Sequence, residues 1–316
     1  MNVFVVIQQM LVLLSMMLVG YVVFRIKWLD GNACSRMSKI VINVLNPCLM
    51  INGVLGSESG LEGSMLFQTL VLVVAYYAVL ILLSGPVAKL IRAKKEHYNL
   101  YKLMLIFSNV GFMGIPVISN IFGKESMLLI VFYNMGYNLL LYTYGFQLAA
   151  KSSLTEKGEE TETKKGGQWK KLINPGVVAC VATVVIFLSG VNMPESVCTF
   201  FEYVGNAAVP VSMMLIGASV AQGGRLEFFL DKRAYAFMAV KLLFIPICAA
   251  LLLRLVPWPA MVEGVFVLML AMPVGSIVVM LATESGADEM ECTKGIILTT
   301  LMSVITIPIV SAFLTF

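Results

Sequence analysis

Two stretches combine helix-breaking residues with polar side chains in the middle of apolar runs. The first is Ser108-Asn109-Val110-Gly111-Phe112-Met113-Gly114-Ile115-Pro116 and the second is Ala271-Met272-Pro273-Val274-Gly275-Ser276. Proline withholds an N–H and clashes with the preceding turn, so each stretch is expected to interrupt its helix. In lipid, interrupted backbone is tolerated only where protein or a water-filled cavity meets it. The chemistry on offer is anion binding. A half-helix that starts at a break presents free N–H groups and a positive dipole end. Asn109, just before the first break, adds an amide that can donate. A plain proline kink for packing is the competing reading of each break taken singly.

Further along runs Tyr133-Asn134-Met135-Gly136-Tyr137-Asn138. Asn134 and Asn138 are four apart and share a helix face; Tyr133 and Tyr137 share the neighbouring one. They either line a polar pathway or hydrogen-bond between helices. Thr299, Thr300, Ser303 and Thr306, followed by Pro308, pose the same choice, with packing the expectation. Lys241 stands about two turns into an apolar run and is expected to snorkel to the interface; otherwise it marks a substrate or ion path. His97, the single histidine, lies in a basic loop and is expected to be solvated. The expected substrate-binding set is Asn109, Gly111, Gly114, Pro116, Pro273, Gly275, Ser276, Asn134 and Asn138. No catalytic residue, metal or cofactor is expected: there is no Walker A loop, no Gly-x-Ser-x-Gly and no histidine cluster, and the six cysteines show no metal spacing.

These residues must be held by membrane helices. Of the 316 residues, 59% are hydrophobic and only 13% are charged, and the mean hydropathy is +0.90. Soluble domains carry roughly 25% charge, so a soluble globular fold is excluded. The apolar blocks are long enough to cross a bilayer core of about 30 Å. The net charge of +4 comes from basic residues scattered over short loops, so no nucleic-acid partner is expected. Hydropathy reads as ten helices, at 3–24, 34–55, 64–91, 99–122, 125–150, 172–192, 196–222, 234–256, 260–284 and 290–315. The stretch 151–171 holds six lysines and four glutamates and reads as a solvated tether. It separates 1–150, a first five-helix repeat, from 172–316, a second.

Basic residues orient the chain. Alternate loops hold eighteen lysines and arginines, whereas the opposite loops hold only Lys124 and Arg254. Both termini are therefore expected outside and the tether in the cytoplasm, in a cytoplasmic (inner) membrane. The acidic loop 284–294 is an exception to the pattern. An odd number of helices per half inverts the second half relative to the first, as in transporters built from inverted repeats. Asn43-x-x-x-Pro47 and Asn206-x-x-x-Pro210 occupy matching helices, as do Pro116 and Pro273.

The segments 108–118, SNVGFMGIPVI, and 205–221, GNAAVPVSMMLIGASVA, resemble the fourth and seventh helices of the auxin efflux carrier family. Asn174-Pro175-Gly176-Val177 and Ala271-Met272-Pro273-Val274-Gly275 match it as well. The resemblance covers essentially the whole chain. It implies an all-α polytopic fold of ten transmembrane helices in two inverted five-helix repeats, with helices 4 and 9 crossing at broken midpoints, as in bile-acid symporters and some sodium–proton antiporters. It also implies a scaffold and homodimer contact through helices 1, 2, 6 and 7, and a moving domain of helices 3–5 and 8–10. The family's substrate-facing asparagine maps onto Asn109 and its crossover prolines onto Pro116 and Pro273. The family includes plant auxin exporters and bacterial permeases for malate, malonate or similar carboxylates. The short tether suits the bacterial branch. One departure is that helix 3 carries no charge, unlike some plant exporters. The expected function is secondary active transport of small organic anions by elevator-type alternating access, with a proton or sodium as possible coupling ion. A transporter-fold sensor that binds an anion without moving it is the alternative.

Overall fold

Backbone amides in an apolar run have no solvent partner, so they bond within their own segment, and helices achieve this. The computed structural model is accordingly almost all helix. It describes residues 3–55, 63–123, 125–157, 175–191, 193–223, 228 and 230–314. α1 is Val3–Arg25. α2 runs from 31 to 52, with a wide turn at Val41–Leu45. α3 is Gly63–Leu90. α4 is broken into Tyr98–Ile106 and Val110–Phe122. α5 runs from 126 to 157, with a wide turn at Leu141–Gly145. α6 is Pro175–Ser189, α7 is Glu195–Gly223 and α8 is Lys232–Leu253, with a wide turn at Val240–Phe244. α9 is broken into Ala260–Ala271 and Ile277–Ser285, and α10 is Glu289–Phe313. Five of these, α1, α3, α7, α8 and α10, are each long and apolar enough to cross a bilayer. The chain is a polytopic, nearly all-helical membrane protein.

Three of the wide turns end two residues before a proline, at Pro47, Pro116 and Pro246. A proline inside a helix lacks a donor and its ring crowds the preceding turn. One extra residue in that turn opens it, which is what a π-bulge does. The fourth wide turn, Leu141–Gly145, has no such proline.

Helix α5 runs on to Lys157, beyond the boundary expected at 150. The extension is packed: Ser152 Oγ donates to Glu96 O at 2.8 Å and Ser153 Oγ to Gly286 O at 3.1 Å. The rest of the expected tether, 158–171, lies outside the described residues.

The helices sort into two packed groups. α1 packs on α7, and α2 packs on both α6 and α7. α3, α4, α5, α8, α9 and α10 pack on one another. The groups meet where α1 touches α10 and the second part of α4, and where α5 touches α6. Small residues let the α1–α7 pair approach to backbone contact, at Gly20 and Gly217, as membrane helices commonly do.

Candidate functional site

Helices α4 and α9 open where they meet. Ser108 and Val274 form an antiparallel bridge, the only strand-like pairing among the described residues. Asn109 N–H donates to Pro273 O at 2.7 Å, and Gly275 N–H donates to Phe107 O at 2.9 Å. Val274 N–H donates to Thr299 Oγ1 of α10 at 3.1 Å. Each break thus supplies partners for the other. A Cβ on Gly275 would lie 3.0 Å from both Ser108 O and the Tyr137 hydroxyl, so glycine permits the close crossing.

The break in α4 falls at Phe107–Asn109, not at Pro116. Asn109 adopts φ −79°, ψ 58°, outside the helical region, and its Oδ1 accepts from Phe112 N–H at 3.2 Å, capping the turn that follows. Pro116 is instead accommodated by the wide turn Val110–Gly114 and starts the packed segment Ile115–Phe122. The crossing engages two of the backbone N–H groups near the expected anion site, and Thr299 of α10 engages a third.

A cavity lies beside the crossing. It is lined by Ser108–Phe112 of α4, by Asn134, Tyr137, Asn138 and Leu141 of α5, by Gly275–Ile277 around the α9 break, and by Ile42 and Asn46 of α2. Six of the nine expected residues converge there: Asn109, Gly111, Asn134, Asn138, Gly275 and Ser276. The other three do not line it. Gly114 packs against Met269, Pro116 is buried in α4, and Pro273 takes part in the crossing through its carbonyl.

Asn109 is 4% exposed, and its Nδ2 has no hydrogen-bond partner. The cap to Phe112 engages Oδ1, which leaves the amide nitrogen as the unmet group. Asn46 Oδ1 is likewise buried and unpartnered. A Cβ on Gly111 would sit 3.5 Å from Asn134 Oδ1 and 3.7 Å from Asn46 Oδ1, which places these two amides around one glycine. Asn134 Nδ2 donates to Ile130 O, and Asn138 Nδ2 donates to Asn134 O and reaches Cys180 Sγ of α6 at 3.9 Å. The two asparagines therefore both line the cavity and make helix contacts. Tyr133 leaves that face and packs edge-on against Tyr76.

Asn46 was missed because the matching pattern in the two halves pointed to Asn43 and Asn206. Both of those are exposed, and Asn43 Nδ2 only donates to Lys39 O. The usable signal was the adjacent pair Asn46-Pro47. Lys241 does not snorkel to an interface as its position in the sequence suggests. It is 2% exposed, and its Nζ donates to Leu105 O at 3.0 Å and Ser108 Oγ at 2.7 Å. α8 packs on α9 and α10, and the Lys241 side chain reaches inward to α4 rather than outward to an interface.

His97 is not simply solvated either. Its Nε2 lies 3.2 Å from Asp288 Oδ2 and its Nδ1 3.8 Å from Glu291 Oε2. Lys294 Nζ lies 2.5 Å from Asp231 Oδ2 and 2.7 Å from Glu291 Oε2, and the Tyr101 hydroxyl donates to Glu291 Oε1 at 2.7 Å. The acidic 284–294 stretch, expected as a loop, is helical from Glu289 onward, and its residues face groups at the starts of α4 and α8. Burial opposes ionisation of Asp231, yet hydrogen bonds from Lys294 and from the N–H of Arg233 hold its carboxyl below the usual range. The resulting stabilisation is present above the ordinary aspartate range and is lost as pH falls through the lowered value. Lys294→Met is expected to destabilise the protein by roughly 2 kcal/mol, below the ~3–5 kcal/mol of breaking a fully buried pair, because Asp231 is partly exposed. Thermal unfolding in detergent at pH 7 would check this; an unchanged midpoint would mean the cluster carries no net stability.

A bundle of apolar helices, two of them broken and crossed beside a polar cavity, has the construction of a membrane transporter. The chain belongs to the auxin efflux carrier family: residues 5–311 match the family described as membrane transport protein. It is 25% identical to an uncharacterized transporter of Methanothermobacter thermautotrophicus over 97% of this chain and 98% of that one. It is also 25% identical to an uncharacterized transporter of Methanocaldococcus jannaschii over 67% of this chain and 68% of that one.

Proposed function

We propose that this transporter moves small organic anions of the malate, malonate or auxin type across the cytoplasmic membrane by secondary active transport. The observation that carries this reading is the unpartnered Asn109 amide in the cavity beside the α4–α9 crossing. A buried donor left unmet costs about 1–3 kcal/mol, and a hydrogen bond to a charged acceptor contributes about 1.5–3 kcal/mol. A carboxylate oxygen answers both. The Asn134 and Asn138 nitrogens are engaged within α5, so Asn109 Nδ2 is the amide donor offered to the anion.

The proposed mechanism is elevator-type alternating access. The cavity takes residues from α4, α5 and α9 of one helix group and Asn46 of the other, so sliding one group past the other would carry the ligand along. Ten transmembrane helices in two inverted repeats, 1–150 and 172–316, are the architecture that goes with this reading. The antiparallel pairing of α4 and α9, one from each half, supports it. A homodimer through α2 and α7 would use exposed apolar residues such as Val44 and Phe200; mass photometry from native nanodiscs showing only monomers would remove it. A proton or sodium gradient is the proposed drive.

Uptake of labelled malate, malonate and indole-3-acetate into proteoliposomes, with pH and sodium gradients imposed separately, tests the function. Accumulation driven by one gradient is expected. Saturable binding without flux would replace the transporter with a receptor. For topology, both termini are placed outside and 151–171 in the cytoplasm. A single cysteine at position 160, in a cysteine-free background, should resist an impermeant maleimide added to intact cells. Labelling there would overturn the orientation.

A further inference from the structure

Lys241 brings a positive charge to the rear of the crossing, and no carboxylate among the described residues forms a salt bridge with it. It sits on the wide turn Val240–Phe244 of α8, with its Nζ between Leu105 O and Ser108 Oγ. Leu105 contributes one of the last carbonyls of Tyr98–Ile106, so the ammonium caps the negative end of that half-helix. Such an end amounts to about half a unit charge. The ammonium is therefore only partly balanced, and unbalanced charge within a membrane span is costly.

Ser108 connects this charge to the cavity, which it lines. Its Oγ accepts from Lys241, which leaves the hydroxyl hydrogen to donate elsewhere. The Tyr76 hydroxyl of α3 donates to Met269 O of α9 at 3.2 Å, so its hydrogen is committed away from Ser108. Lys241 and Ser108 thus form a polar link from α8 through α4 to the cavity. A negative charge on the cavity face of Ser108 would complete the balance.

Resting on the organic-anion reading above, we propose that Lys241 is the counter-charge for the bound anion. It acts through Ser108 and sets the preference for a charged carboxylate over an uncharged molecule of the same shape. Lys241 is a positioning residue in this scheme: it polarises the Ser108 hydroxyl and orients it without touching the ligand. Its capping of α4 is a separate, structural contribution, and the two are experimentally separable. A purely structural lysine would affect charged and neutral ligands alike, whereas a counter-charge acts only on the charged one.

The test titrates purified wild type, Lys241→Met and Lys241→Arg with malonate, malate and indole-3-acetate, and with the uncharged amide of each. Wild type is expected to prefer at least one carboxylate over its amide by about tenfold or more, from the Coulomb attraction of two charges a few ångströms apart. Lys241→Met should lose that preference by weakening the carboxylate about tenfold while leaving the amide unchanged. Lys241→Arg should keep most of it. If Lys241→Met does not purify as a monodisperse species, Lys241→Gln, which retains a donor for Leu105 O, carries the same comparison. A neutral variant that keeps the wild-type preference, or that loses acid and amide equally, overturns the inference while leaving the organic-anion reading in place. Wild type that binds none of the three acids overturns that reading first, and the inference with it.

Discussion

Asn109→Asp is expected to lower affinity for a transported carboxylate by about a hundredfold or more. The substitution removes the buried amide donor whose nitrogen is unmatched in the cavity. That alone accounts for roughly 1.5–3 kcal/mol if the acceptor is charged. It also installs a second negative charge. Two like charges about 4 Å apart repel by around 4 kcal/mol at an effective dielectric of 20, and about 2.7 kcal/mol is already a hundredfold. The fold should survive, because aspartate keeps the oxygen that caps Phe112 N–H. Asn109→Ala should cost about tenfold, from the lost hydrogen bond, together with some stability from the lost cap. Scintillation proximity with labelled malonate would measure both. If Asn109→Asp binds a transported carboxylate as tightly as wild type, the crossing is not the anion site.

The largest stability effect is expected at the α1–α7 contact. A Cβ on Gly217 would lie 1.8 Å from Met17 O and 2.9 Å from Tyr21 N. These are backbone atoms, so no side chain can rotate away. Gly20 faces the same constraint, its Cβ position lying 1.9 Å from Met214 O. Gly217→Ala must therefore push two helices apart along their length. Overpacking commonly costs about 1–3 kcal/mol; separating a backbone contact should exceed that, by our expectation reaching about 4 kcal/mol. The readout is the thermal midpoint of monodisperse protein in detergent. A midpoint matching wild type would show that the two helices do not approach to backbone contact. Because α1 also touches α10 and the second part of α4, transport should suffer along with stability.

Composition and spacing alone determined a great deal here. With 59% hydrophobic residues and 13% charged, gathered into long apolar runs, the chain belongs in a membrane as helices that satisfy their own backbone. The pairing of Pro273 with Gly275 and Ser276 marked the break in α9 correctly, because proline and glycine act through local backbone chemistry that is written in the chain. Asn109, Asn134 and Asn138 can be nominated because amides within apolar runs need partners and helical spacing groups them, and Gly111 because it weakens the helix beside Asn109.

What tertiary structure decided is where non-local partners lie. The break in α4 was expected at Pro116 and occurs at Phe107–Asn109, because the carbonyl of Pro273 on another helix receives the Asn109 N–H. Pro116 could then be absorbed by a wide turn. Asn46 joined the cavity from the other helix group, a proximity that no spacing along the chain encodes. The burial of Lys241 followed from the same cause. Its distance from the end of α8 suggests an escape to the interface, but α8 packs on α9 and α10 and α4 offers Leu105 O and Ser108 Oγ instead. His97 and the 284–294 loop find each other only because α4 and α10 end side by side. A side chain's partners within its own helix are set by periodicity. Partners on other helices depend on how the apolar faces pack, and many packings share one hydropathy pattern.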